Sequence, residues 1–259
     1  MTREEELFSR HLQDLADAAW KRNVITFSDF LNLNEQNIYH TVMQKCSYIG
    51  SSLFGGYENA ERQMAAFIPD ALSYHTEDFS LSEYFPICCL KISPLNLKFS
   101  EDLSHRDYLG SLMNLGVDRS KMGDIVIQEQ SALLFCEEKL AEYLTKEMTR
   151  VRHTAVNCQV CSCGEIQYEP KLKKFTGTVA SVRLDALLSL AFQSSRSSLT
   201  GMIEGGKTFV NGKLVTSNGY RLKEGDLISV RGLGRFRYCS VSGSPSKKGR
   251  YFVEIEKYI

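Results

Sequence analysis

Over residues 87–160 the chain alternates strand-like and helix-like patterns in an order that leaves little topological freedom. Residues 87–92 are an apolar run of buried-strand length, and Ser104 predicts the cap of a helix that runs to 115, where Gly116 stops it. Residues 124–128 and 132–136 read as two strands joined by a tight turn. A helix over 139–151, with Leu140, Tyr143, Leu144 and Met148 on one face, leads to a strand over 154–160. The order is βαββαβ. Two βαβ halves of this kind predict a four-stranded antiparallel sheet with both helices on one side.

That order is the ferredoxin-like arrangement, which many RNA-binding modules share, although a fold alone implies no function. The stacking aromatics of an RNA-recognition motif are missing: Cys88-Cys89-Leu90 and Leu133-Leu134-Phe135 hold one aromatic between them. Ahead of this domain, Leu7, Phe8, His11, Leu12, Leu15, Ala18 and Ala19 recur at helical spacing and predict a helix over 4–21. An extended piece at 24–27, a helix over 35–45, an extended piece at 48–54, a break at Gly55-Gly56 and an apolar run over 64–68 complete a mixed α/β region. Residues 165–178 lose periodicity and carry Pro170, Lys171, Lys173, Lys174 and Gly177, which predicts an exposed linker. The expected class is α+β, divided into an N-terminal region (1–80), the ferredoxin-like domain (81–164), a linker (165–180) and a C-terminal module (181–259).

Net charge is zero, with 31 basic and 31 acidic residues, but the balance is uneven along the chain. From residue 181 to 259 there are 13 Lys and Arg against 6 Asp and Glu, a net of +7, which leaves 18 against 25 before it, a net of −7. A basic module on an acidic body suits nucleic-acid binding, because Lys and Arg neutralise phosphates and release counterions. The alternative is a chance imbalance on solvated faces. No stretch approaches the roughly 20 apolar residues of a membrane helix, and Glu4-Glu5-Glu6 argues against a signal or transit peptide, so the expectation is a cytosolic protein, bacterial and without a membrane partner.

Eight cysteines without a secretory signal are expected to be reduced. Cys158, Cys161 and Cys163, with His153 upstream, have a spacing that invites zinc, yet a fourth ligand and a second knuckle are lacking. Incidental cysteines are the favoured reading, metal is left open, and no metal ligand or cofactor is assigned.

In the C-terminal module, Leu184, Leu187, Leu188 and Ala191 fall at i, i+3, i+4 and i+7 of one helix. Ser194 or Ser195 caps a second, carrying Leu199, Met202 and Ile203 inward and ended by Gly205-Gly206. Asn211-Gly212 turns a hairpin over 209–215, Glu224-Gly225-Asp226 turns into a strand over 227–230, and further strands are expected over 235–241 and 250–255. The string RLDALLSLAFQSSRSSLTGMIEGGKTFVNGKLV, followed by YRLKEGDLISV, closely resembles the S-four (alpha-L) RNA-binding domain. In that family two helices and the following hairpin form a basic surface for structured RNA, which implies Arg183, Ser195, Arg196, Lys207, Asn211 and Lys213 as contacts here. Arg196, in the first turn of a helix, would offer a phosphate both a guanidinium and oriented backbone N–H groups.

FGGYENAER (54–62), HRDYLGSLMNLGVDRSKMGDI (105–125) and RGLGRFR (231–237) extend the resemblance to YlmH-type RNA-binding proteins, which place an α/β region and a ferredoxin-like domain before an S-four domain. Arg235 and Arg237 join the implied contacts. The resemblance implies a non-enzymatic, monomeric protein that binds rRNA or tRNA on the large ribosomal subunit during quality control of stalled nascent chains, with a link to cell division. The cluster of His105, Arg106, Asp107, Arg119, Lys121 and Asp124 is a second candidate contact: Arg119 and Lys121 toward RNA or ribosomal protein, Asp107 and Asp124 as braces, His105 and Arg106 beside them.

Enzyme readings fare worse. Pseudouridine synthases also use an RLD string, but Arg183-Leu184-Asp185 here opens the helix of the C-terminal module itself, which makes Asp185 a helix-start acid. His105-Arg106-Asp107 lacks the remaining protein-kinase motifs, and a methyltransferase would need a glycine-rich loop in a doubly wound sheet. An RNA-modifying enzyme with its site in the body and a division-associated protein adaptor are the competing classes.

Overall fold

The computed structural model describes residues 2–58, 60–69, 81–161, 172–242 and 249–258. The chain divides into two compact units, Met1–Tyr168 and Glu169–Ile259.

The first unit opens with α1 (Arg3–Arg22), which the Thr2–Glu5 capping box starts: Glu5 N donates to Thr2 Oγ1 at 3.2 Å and Thr2 N to Glu5 Oε2 at 2.8 Å. Glu4, Glu5 and Glu6 in its first turn and Lys21 and Arg22 in its last complement the helix dipole. Asn32 and Glu35 form the same kind of box for α2 (Leu33–Met43). Both helices pack on a three-stranded antiparallel sheet in which β3 (Gln63–Ile68) lies between β1 (Thr26–Leu31) and β2 (Gly50–Phe54). Strand alternation sends Ala65 and Phe67 to the helix side, against Leu12, Ala16, Ile38 and Val42, and Met64 and Ala66 to the other, beside Phe30 and Phe85.

The second part of this unit runs β4 (Ile87–Pro94), α3 (His105–Asn114), β5 (Met122–Gln128), β6 (Ser131–Glu137), α4 (Ala141–Glu147), β7 (Arg150–Val151) and β8 (Thr154–Cys161). The sheet order is β5-β6-β4-β8-β7, all neighbours antiparallel. Its four long strands have the expected ferredoxin-like pairing. The helix expected over 139–151 stops at Glu147: Met148 leaves helical geometry, and Arg150-Val151 turn back as β7 so that Val151 is buried against β8. Apolar spacing alone does not separate a last helical turn from a two-residue strand that fills the same core. One sheet face, with Leu90, Ile92, Leu134 and Val156, packs on Tyr108, Leu112, Leu144 and Met148. The opposite face, with Cys89, Leu133 and Phe135, takes Tyr57, whose ring lies 4.8 Å from that of Phe135.

The second unit holds β9 (Leu172–Val179), α5 (Leu184–Phe192), α6 (Arg196–Glu204), β10 (Thr208–Val210), β11 (Lys213–Leu214), β12 (Leu227–Val230), β13 (Gly234–Ser242) and β14 (Tyr251–Tyr258). These strands form one antiparallel sheet in the order β11-β10-β12-β13-β14-β9. Its helix side is a core of Leu184, Leu187, Leu188, Leu199, Ile203, Ile228, Val230, Phe236 and Ile255. The hairpin turn at Asn211-Gly212 has φ of 49° and 75°, the positive pair that a two-residue turn requires.

The expected linker is corrected here. Residues 172–179 form β9, paired with β14 from Val179↔Tyr251 to Leu172↔Tyr258. Phe175 and Val179 face the core, and Gly177 is small because Leu190 packs over it: a Cβ there would lie 2.6 Å from Leu190 Cδ1. The glycine and lysines that read as linker signals are strand residues at a sheet edge, where lysine is common. The rest of that expected linker, 165–171, lies outside the described residues.

Candidate nucleic-acid interface

In the second unit the sequence-expected contacts fall on two faces. On the helix side, Ser195 caps α6, its Oγ accepting from Ser198 N at 3.3 Å, and Arg196 follows as the first helical residue. Lys207 leaves the other end of α6, where its backbone N–H donates to Met202 and its carbonyl accepts from Arg231 N at 2.9 Å. Nine helical residues separate the two ends by about 14 Å. Lys213 pairs with Val210, which faces the core, so the lysine projects on the same side of the sheet. Arg196, Lys207 and Lys213 are exposed, and among the described residues none of their side chains has a hydrogen bond or salt bridge. Cations of this kind have no internal ion pair to break before they meet a phosphate.

Arg183 is less free. Its guanidinium forks onto Asp185, Nε to Oδ1 at 3.0 Å and Nη2 to Oδ2 at 3.2 Å, which occupies both oxygens of a buried carboxylate. Asn211 is tied internally: its amide turns into the fold, Nδ2 donating to Asp226 Oδ1 at 2.8 Å and Oδ1 accepting from Leu227 N at 2.9 Å, so it braces the hairpin. Arg235 and Arg237 lie on the far side of the sheet from the helices, because Phe236 between them faces the core. The Arg235 guanidinium sits 4.4 Å over the Tyr258 ring, and Arg237 Nη2 lies 3.4 Å from Tyr258 Oη.

Two exposed cations escaped the sequence reading. Arg221 forms an isolated antiparallel bridge with Arg183, and Arg231 lies beside Lys207 with its guanidinium 5.2 Å over the Phe209 ring. The available signal was cross-strand register: Thr208 pairs with Val230, which sets their neighbours 207 and 231 side by side.

In the first unit two of the four expected contacts are tied inside the fold. Arg119 Nη1 donates to the carbonyls of Met122 at 2.9 Å and Gly123 at 2.8 Å. Burial, with Arg62 close by, pulls its guanidinium down to about 10 against the opposing pull of Asp124 and Glu61. Lys121 Nζ is held between Asp29 at 2.5 Å and Glu137 at 2.9 Å; burial alone would lower its pKa, but these two hydrogen bonds outweigh it and raise it. Both are internal ties, and a charge run at a helix–loop junction does not reveal this because the partners, Asp29 and Glu137, are distant in sequence. Asp124 is a brace, as expected: it accepts from Tyr57 Oη at 2.7 Å and from the backbone N–H groups of Glu61 and Arg62. Asp107 caps α3 through Ser104 N at 2.9 Å. His105 and Arg106 remain exposed at the start of α3.

The cysteine cluster does not assemble into a knuckle among the described residues. Cys158 faces the helix-side core, where burial raises its thiol to about 11, whereas Cys161 pairs with Cys89 and shares the opposite face. Residues three apart on a strand point to opposite sides. Cys163 lies outside the described residues. Elsewhere, Cys239, Glu254 and Glu256 approach one another at metal-binding distance, but Lys174 already pairs with both carboxylates, at 3.2 and 3.6 Å.

Residues 81–165 match the family described as "Putative RNA-binding domain in YlmH", and residues 182–228 match the S4 domain. The chain is 29% identical to the "Ribosome-associated protein quality control protein P2" of Bacillus subtilis (strain 168) over 247 residues, 92% of this chain and 91% of that protein. A solved structure described as the cell division protein ylmH from Streptococcus pneumoniae superposes with a TM-score of 0.50 at 17% identity, covering 64% of this chain and 95% of the other, a likeness of fold. With the YlmH RNA-binding domain on the ferredoxin-like sheet and the S4 domain on the basic module, this chain is a YlmH-type protein.

Proposed function

We propose that this protein is a non-catalytic, monomeric cytoplasmic RNA-binding protein that docks on structured RNA, ribosomal or transfer, through the helix side of its S4 domain. The observation that carries the reading is the set of Arg196, Lys207 and Lys213, exposed, unpaired among the described residues, and projecting from α6 and the following hairpin inside the matched S4 segment. Arg231, beside Lys207 but with its guanidinium over the Phe209 ring, carries the basic surface round to the other face of the sheet. The name of the Bacillus subtilis relative supports a place on the ribosome in protein quality control; the action on stalled nascent chains at the large subunit is our own extension of that reading. The non-catalytic part of the reading is supported by Asp185, whose two oxygens are occupied by Arg183.

Phosphate contacts made by lysine and arginine set the salt dependence of RNA binding, so Arg196→Ala combined with Lys207→Ala is expected to weaken association and to flatten its dependence on salt. Sedimentation of the two proteins with ribosomal particles through sucrose gradients tests this. Unchanged co-sedimentation of the double variant would overturn the site.

A further inference from the structure

We propose that the cleft between α3 and the turn from α4 into β7 is a second RNA site, one that takes the sugar-phosphate backbone. This inference rests on the RNA-binding reading above and moves the second contact away from Arg119 and Lys121. The cleft encloses about 450 Å³ and brings together Arg106 from the first turn of α3 with Arg150 and Arg152 from β7 and its hairpin turn. Ser111, Asn114 and Thr149 line the same cleft. Among the described residues none of these three polar side chains has a hydrogen bond, and neither the Arg106 nor the Arg150 guanidinium has a hydrogen bond or salt bridge. Guanidinium forks together with hydroxyl and amide groups are the side chains that hold phosphate and sugar oxygens.

Two further observations point to a ligand that is anionic. The cleft lies in the acidic part of the chain, where three arginines on one concave surface run against the regional charge. Of the two carboxylates that share it, Asp107 is already spent, on the Ser104 cap and on Arg152 at 3.6 Å. In addition, Arg152 has φ of 51°, a left-handed conformation that glycine or asparagine adopts more cheaply. The two-residue turn between Val151 and Thr154 therefore carries an arginine at a conformational cost, and the ion pair with Asp107 places that arginine over α3. The match to a YlmH RNA-binding domain over 81–165 contains the whole cleft, which favours RNA over an acidic protein as its occupant.

The test is fluorescence anisotropy of the full chain with a fluorescein-labelled RNA hairpin bearing a single-stranded tail, titrated at several salt concentrations. Arg106→Gln with Arg150→Gln is expected to weaken binding and to make the slope of log K against log salt shallower by about 2, roughly 0.9 for each phosphate contact removed. Arg152→Gly is expected to weaken binding while the melting temperature holds or rises, because glycine relieves the positive φ. If the double glutamine variant binds as wild type does while Arg196→Ala with Lys207→Ala loses affinity, the cleft is overturned and the S4 reading stands. If wild type itself fails to bind the hairpin, the RNA reading falls and takes the cleft with it. Binding of polyglutamate that the Arg106 and Arg150 changes abolish, with RNA affinity intact, would make this a protein site and overturn the proposal.

Discussion

Arg62 and Arg119 donate to the same carbonyl, that of Met122, at 2.8 and 2.9 Å. Two like charges converge on one acceptor because each has other work there: Arg62 Nη2 also reaches Phe30 O at 2.7 Å and Arg119 O at 3.0 Å, and Arg119 reaches Gly123 O. The result is a fastening between β1, the loop before β3 and the start of β5. It joins the three-stranded sheet to the ferredoxin-like sheet within one unit. Burial lowers the pKa of both guanidinium groups, yet arginine stays charged, so the carbonyls receive charge-assisted bonds.

Arg62→Ala is accordingly expected to cost about 2 kcal/mol, because the carbonyls of Phe30 and Arg119 lose their charged donor while Met122 O keeps the bond from Arg119. Urea unfolding of the full chain measures this. A loss under about 1 kcal/mol would show that water replaces the arginine and that the fastening is weak.

The loop that Arg62 closes depends on Gly56. At φ of 96°, a Cβ on this residue would sit 2.4 Å from Phe135 Cδ1. Gly56→Ala combines backbone strain with overlap against a buried ring, and about 2 kcal/mol or more of destabilisation is expected in the same unfolding experiment. Tyr57 should lose its stacking on Phe135 as a consequence, visible in near-ultraviolet circular dichroism.

Lys121→Ala separates a tie from a contact. Its partners Asp29 and Glu137 are partly exposed, so the expected stability loss is only about 1 kcal/mol. Affinity for an RNA hairpin should stay unchanged at every salt concentration, and a shallower salt slope would restore Lys121 as a phosphate contact.

Asn211→Ala should act the same way in the S4 domain. It removes the bridge from Asp226 to the Leu227 N–H and leaves alanine at φ of 49°, for an expected cost of about 2 kcal/mol. Thermal melting reads the loss; intact RNA affinity at a temperature where the variant is folded confirms a bracing role.

These ties explain which parts of the molecule could be read from the chain. The βαββαβ order was legible because each strand and helix carries its own period, and Asn211-Gly212 announced its turn through backbone chemistry alone. The capped start of α6, with Arg196 in its first turn, was equally local. What escaped depends on pairing across long separations. Lys121 meets Asp29, Arg231 meets Lys207 and residues 172–179 meet β14, and none of these contacts leaves a periodic trace. The segments 54–62 and 105–125 carried the family resemblance, and much of what they hold is architectural: Tyr57, Arg62, Arg119 and Asp124 fasten sheets.

His105 gives the fastening a pH signature. Burial first, then the Arg119 guanidinium, lowers its pKa below the ordinary 6.5, and Asp124 only partly opposes them. The folded chain therefore takes up this proton at lower pH than the unfolded chain does. Stability is then fully present above about 6.5 and declines as pH falls through that value toward the folded pKa, because the unfolded state binds the extra proton first. Part of the ring is exposed, so the decline is shallow. Two-dimensional NMR of the imidazole should show a midpoint below 6.5, and His105→Asn should flatten the fall in melting temperature on the acid side. A midpoint at or above 6.5 would mean that Asp124, and not Arg119, dominates the field at the start of α3.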